Sequence, residues 1–209
     1  MKMTPTKFSD QKLVIFDMIG TLTTERHLVS VIMKEVLPMF KSEKLKKYYE
    51  KYKVDEISNK EFWSKLEIGN CYEIEKRILE KVVLREEVPK LLEDLKTKYK
   101  LAILSNIPKE WGEFVAEKYG FNTYFEQTIF SGACGLKKPN REIYELLLGK
   151  FPSIAPGNVY YIDDSLGDLE TGKKCLMRTV WLKSDLDKSR YIPDHTIERL
   201  SELKLVLNK

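Results

Sequence analysis

LVIFDMIGTLTT, residues Leu13 to Thr24, is the stretch from which the rest of the chain can be read. Four consecutive apolar residues, Leu13 to Phe16, have the length and composition of a strand buried on both faces, as in a parallel sheet. Asp17 follows at the strand's carboxyl end, and Gly20-Thr21 turns the chain directly afterwards. In open α/β sheets that edge is where ligands bind. A carboxylate placed there serves as a nucleophile, as a metal ligand or as a helix cap.

Outward from this strand the pattern divides. Residues 25–87 carry helical periodicity and no strand signal. His27 to Phe40 has Leu28, Ile32, Val36 and Met39 near helical spacing, with Pro38 bending or ending that helix. The basic, tyrosine-bearing run Lys41 to Lys53 suggests a phosphate-tracking surface, but its interleaved acids favour a solvated helix face. Further helices are expected after Asn59, with Phe62, Trp63 and Leu66, and over Ile74 to Val83. From Val88 onward, helix and strand alternate. Strands are expected at Leu101–Leu104, around Thr128–Phe130, at Asn158–Ile162 and at Thr179–Leu182. Helices fall between them, the one from Lys109 to Tyr119 stopped by Gly120. The expected fold is α/β: a three-layer, doubly wound parallel sheet formed by residues 1–24 and 88–209, with residues 25–87 as a small helical cap domain.

Bulk composition narrows the function classes. A chain of 209 residues with 43% hydrophobic content can bury a sizeable core. Its 36 basic and 32 acidic residues are interspersed, for a net charge of +4. That balance describes a solvated surface and excludes a nucleic-acid footprint. No apolar run approaches the roughly 18 residues of a membrane span, and no leader pattern is present, so a cytoplasmic location is expected. Cys71, Cys134 and Cys175 show no zinc or redox spacing and read as ordinary thiols.

The polar residues collect at the ends of the expected strands: Asp17 after the first, Ser105-Asn106 after the second, Asp163-Asp164 after a later one. Lys137 and Lys138 lie in a loop beside Pro139. Strand carboxyl ends share one edge of a parallel sheet, so the topology draws these positions together. Each has a plainer reading by itself: Ser105 as a cap, Lys138 as a surface lysine, Asp168 as an N-cap. Four polar clusters at four such positions outweigh those separate readings.

In order and spacing the clusters FDMIGTLT, AILSNIP, GLKKPNREIY and YYIDDSLGDLETG resemble the four motifs of the haloacid dehalogenase-like (HAD) hydrolase superfamily. The likeness extends over nearly the whole chain and includes the helical insertion after the first motif. It implies Asp17 as a nucleophile forming a covalent aspartyl intermediate. Ser105 would hydrogen-bond a phosphoryl oxygen, with Asn106 beside it at the substrate. Lys138, with Lys137 as the adjacent alternative, would neutralise the nucleophile and the transferring group. It further implies Mg²⁺ held by Asp17, the backbone carbonyl of Ile19 and Asp164, helped by Asp163 or Asp168.

One departure bears on chemistry. Phosphatases of this family carry a second Asp two residues after the nucleophile, as general acid and base. This chain has Ile19, which cannot transfer a proton, and loss of such a group costs about 10² to 10⁴-fold in rate. Leu176 replaces a usual Gly, a change of packing more than of chemistry. Three readings follow. The first is a Mg²⁺-dependent phosphohydrolase acting on a small phosphorylated metabolite with a good leaving group, or using another donor such as His27 or Glu25. The second is a 2-haloacid dehalogenase, whose halide leaves unprotonated. The third is a non-catalytic binding or regulatory protein of the same fold. Repulsion between a haloacid carboxylate and an uncompensated acidic cluster favours the first. Tyr48, Trp63 and Tyr72 are expected in the cap's own small core, with lining of the pocket as the alternative.

Overall fold

Asp17 is positioned by a sheet whose strand order reverses beside it. The structure, a computed structural model, describes residues 8–25, 28–29, 42–69, 71–184 and 189–208. Its strands are β1 (Leu13–Phe16), β2 (Lys100–Ser105), β3 (Gln127–Phe130), β4 (Val159–Asp163), β5 (Arg178–Leu182) and β6 (His195–Ile197). They form one sheet in the order β3-β2-β1-β4-β5-β6, parallel throughout. Chain order runs outward from β1 in one direction to β3 and resumes in the other at β4. β1 therefore lies at the switch point, with Phe16 registered against Ile103 of β2 and Ile162 of β4. A crevice opens at such a point beyond the strand ends.

Every residue of β1 is buried, as the apolar run requires. Alternation divides it between two layers. Val14 and Phe16 join one core with Leu101, Ile103, Tyr160 and Ile162, while Leu13 and Ile15 join the other with Leu104, Val159 and Tyr161. The first layer is covered by α4 (Val88–Lys96), α5 (Lys109–Lys118) and α9 (Leu203–Leu207); the second by α7 (Arg141–Leu148) and α8 (Leu166–Lys174). A single turn, α6 (Ser131–Cys134), follows β3. The expected three-layer α/β architecture is the observed one. The sheet extends further than expected, because β6 and α9 are too short to carry a periodic signal.

Between β1 and α4 the described residues form α1 (Ser42–Tyr52), α2 (Asn59–Lys65) and α3 (Cys71–Glu80). The expected helix His27–Phe40 lies outside the described residues, apart from Leu28 and Val29. α2 begins with a capping box: Ser58 accepts from the Glu61 backbone N–H, and the Glu61 carboxylate accepts from that of Ser58. The segment leaves and returns at one place, since Thr24 N–H donates to Val83 and Arg85 N–H to Leu22. The Arg85 guanidinium also donates to the carbonyls of Thr21 and Gly20, at 2.9 and 2.8 Å. The return strand thus braces the turn after Asp17.

These helices share the main core. Trp63 packs with Phe62 and with Trp111 of α5, and Tyr49 and Tyr52 of α1 pack on the same indole. This corrects the expectation of a self-contained cap core for Trp63; Tyr72 is 68% exposed and belongs to no core. A carboxylate joins the layers. Glu75 Oε1 accepts from Trp63 Nε1 at 2.8 Å, from Trp111 Nε1 at 2.7 Å and from the Asn59 amide. Lys118 caps the end of α3 by donating to the carbonyls of Glu80 and Val82. Replacing Glu75 by Ala strands three N–H donors, which costs about 1–3 kcal/mol. Urea denaturation is expected to report a loss of that size, and a smaller one for Glu75→Gln, which keeps an acceptor.

Candidate active site

Three sheet positions and one loop converge on Asp17. Its backbone N–H donates to Ile162 of β4, continuing the ladder one residue past β1. Ser105, the last residue of β2, donates to Asp17 Oδ1 at 3.0 Å, and Lys138 Nζ donates to the same oxygen at 2.8 Å. Ser105 therefore caps nothing; Pro108 stands at the start of α5. Nor is Lys138 a surface residue. It is 3% exposed and also reaches Asp163 Oδ2 at 2.7 Å and Asp168 Oδ2 at 3.5 Å. Asn106 clamps the Lys138 backbone on both sides: its Oδ1 accepts from Lys138 N–H and its Nδ2 donates to the Lys138 carbonyl, each at 2.9 Å. Lys137 points elsewhere, with Nζ 3.5 Å from Glu50 on α1.

Burial and charge set the protonation states. Burial disfavours the Lys138 ammonium, but Asp163, Asp17 and Asp168 together outweigh it and hold its pKa well above the ordinary lysine value. Burial pushes the Asp17 carboxyl up to about 6 against the pull of Lys138, and Asp163 adds to the rise. Asp168 is pushed up to about 7 by the same combination. One ammonium does not compensate four neighbouring carboxylates, and a further cation would lower both values.

The acidic residues differ in what they can offer a metal. Asp17, Asp163 and Asp164 each present an oxygen within 4.8 Å of the others. Asp17 Oδ2 is buried and has no hydrogen-bond partner among the described residues. Asp163 is occupied on both sides: Oδ1 accepts from Ser165 N–H, and Oδ2 from Lys138 and the Tyr161 hydroxyl. The Asp164 carboxylate lies against Gly20, where a Cβ would sit 2.7 Å from its Oδ2. Asp168 stands outside the three-residue group. Ser165, not Asp168, caps α8 by accepting from Asp168 N–H. An orphaned carboxylate oxygen and a second carboxylate seated over a glycine fit a hard cation with oxygen ligands.

The cavity above these groups measures about 470 Å³, within the range of small-molecule sites. Ile19 is half-buried on its wall, where the side chain has no proton to give. Glu25 is tied into the linker, accepting from Val83 N–H at 3.1 Å, and His27 lies outside the described residues. Sequence reasoning missed Tyr161. Its hydroxyl accepts from Lys138 at 3.0 Å and donates to Asp163. The signal was available, since residues two apart on a strand share a face and Tyr161 precedes Asp163 by two.

Residues 11–175 match the haloacid dehalogenase-like hydrolase family. The chain belongs to that family. Among curated proteins it is similar to a phosphoglycolate phosphatase from Aquifex aeolicus (strain VF5), 32% identical over 124 residues. That match spans 56% of this chain and about half, 55%, of the relative. The fold is similar to that of a HAD phosphatase from Thermococcus onnurineus, with a TM-score of 0.72 and 24% identity over 94% of this chain and 98% of the other. It is also similar to that of the HAD family enzyme bt-2542 from Bacteroides thetaiotaomicron, in a complex with magnesium and inorganic phosphate. There the TM-score is 0.71 and the identity 21%, over 86% of this chain and 98% of the other. At these identities the two structures speak for the fold.

The raised Asp168 carboxyl has a measurable consequence. Its folded value near 7, against 3.8 for an ordinary aspartate, means that the folded chain binds a proton which the unfolded chain releases. Its contribution to stability is present at low pH and is lost as the pH rises through about 4 to 7. Without divalent metal, Asp168→Asn should gain on the parent over that interval by several degrees in Tm, at about 2–4 °C per kcal/mol. Thermal melts in chelator at a series of pH values check this.

Proposed function

We propose that this family member is a Mg²⁺-dependent phosphohydrolase that acts on a small phosphorylated metabolite through an aspartyl-phosphate intermediate. The observation that carries the reading is Asp17. One of its oxygens is oriented by Ser105 and Lys138, and the other is buried without a partner beside Asp164. An unpartnered buried carboxylate oxygen is costly unless a ligand arrives to use it. Asp17 and Asp164 would hold the metal, with the Ile19 backbone carbonyl and Asp163 next to them. Bound there, it would screen the repulsion between an anionic nucleophile and an anionic substrate.

The chain's own residues supply the rest. An Asp17 oxygen attacks phosphorus, forming an O–P bond as the bond to the leaving-group oxygen breaks. Ser105 donates to a phosphoryl oxygen, and Lys138 neutralises charge on both partners. Water then attacks phosphorus, the Asp17–phosphate bond breaks, and the water's protons remain with the released phosphate. With Ile19 in the usual acid's place, the first step suits a leaving group that departs as an anion, such as the carboxylate of an acyl phosphate. Residues 25–87 act as the cap, closing over the cavity and excluding water. Among the described residues no helix is long and apolar enough to cross a membrane; a cytoplasmic location is part of the same proposal.

Two experiments test this. Asp17→Asn should reduce Mg²⁺-dependent turnover of an acyl phosphate by more than about 10³-fold, as removing a covalent nucleophile does. Metal-independent halide release from a 2-haloacid would instead identify a dehalogenase. Ile19→Asp should raise hydrolysis of alkyl phosphates, whose leaving groups need a proton, by about 10²-fold while changing acyl-phosphate turnover little. A panel of both ester types with and without Mg²⁺ reads both effects.

A further inference from the structure

The basic run that reads in sequence as a solvated face has one side on the cavity. Lys46, Tyr49 and Glu50 fall at i, i+3 and i+4 of α1, Lys53 continues the stripe at i+7 just past the helix end, and all four line the cavity that holds Asp17 and Lys138. On this wall Lys53 Nζ lies 2.6 Å from one Glu50 oxygen and Lys137 Nζ lies 3.5 Å from the other. Lys46 has no partner among the described residues. Two ammonium groups therefore share the Glu50 carboxylate, and Lys46 adds a further positive charge to the same wall.

The stripe is held in place. Tyr49, within it, and Tyr52 at the end of the helix both pack against Trp111 of α5. The Lys53 carbonyl accepts a hydrogen bond from Ser131 at the start of α6. The side chain of Lys53 is only 15% exposed, with its Nζ 5.9 Å from the centre of the Tyr49 ring. Cations displayed on a pinned helix lose little ordering entropy on meeting an anion, which is the condition for a specific subsite. The site that would receive the transferring phosphoryl group already has Lys138 and Ser105. Excess positive charge on the opposite wall is available for a different group.

We infer that the substrate carries a second anionic group, a carboxylate or a phosphate, at the end remote from the transferred phosphoryl group, and that Lys46 and Lys53 bind it. This rests on the phosphohydrolase reading for the identity of the first anion, and is tested by a measurement that needs no turnover.

The Mg²⁺-loaded protein is titrated by calorimetry with methylphosphonate, with 3-phosphonopropionate and with propane-1,3-diphosphonate. The two doubly anionic ligands are expected to bind roughly tenfold more tightly than methylphosphonate, with the preference shrinking as salt is raised. Whichever of the two binds better identifies the second group as carboxylate or phosphate. Lys46→Gln should reduce the preference roughly threefold, in keeping with a partly exposed ion pair, and Lys46→Glu should abolish it. Because Lys46 is exposed, neither substitution should move Tm. Equal affinity for all three ligands, no binding of any, or a preference that survives Lys46→Glu would overturn the inference. If the preference appears as expected but no phosphate ester is hydrolysed, the phosphohydrolase reading falls and the anion subsite stands. If esters are hydrolysed without any preference, the reverse holds.

Discussion

A single buried ammonium makes the rest of this sheet edge possible. Asp17 follows the first strand while Asp163 and Asp168 come from one later stretch, and each approaches the same Lys138 nitrogen within 3.5 Å. Burying carboxylates together is expensive, and removing the one cation among them would leave several uncompensated charges. The lysine is accordingly held as firmly as the acids. Asn106 clamps its backbone at both ends, and Tyr161 braces its nitrogen from below. Ser105 and Asn106 are adjacent at the end of β2, so one strand end orients both the aspartate and the lysine that neutralises it.

The same arrangement explains why Ile19 matters without disturbing the site. Its side chain packs on the cavity wall against the main core, and none of the contacts that orient Asp17 passes through it. Substitution there changes the proton inventory of the site and leaves the nucleophile's geometry alone. The chemistry this suits is a transfer in which the departing group is already a weak base.

Much of this was legible in the sequence, and the remainder has identifiable physical causes. Strands β1, β2, β4 and β5 announce themselves as continuous apolar runs because both of their faces are covered. Asp17, Ser105 and Asp163 could be placed at one edge because strand ends of a parallel sheet coincide. β6 has three residues and α9 five, too few to show a period. Glu75 could not be foreseen as a link between layers, since its partners Trp63 and Trp111 are distant in the chain and meet only on folding. The α1 charges were half readable. Lys47 and Lys51 do face solvent, whereas Lys46 and Lys53 line the cavity, and composition cannot separate two faces of one helix.

Gly20 ties two distant parts of the chain to a common history. Its φ of +94° already disfavours any side chain, and the space a Cβ would need is filled by the Asp164 carboxylate. A larger residue at position 20 is compatible with this backbone only if the acid at 164 shortens or turns away. Across related sequences the two positions should therefore change together or not at all, and a relative that has lost the glycine should also have given up the carboxylate facing it.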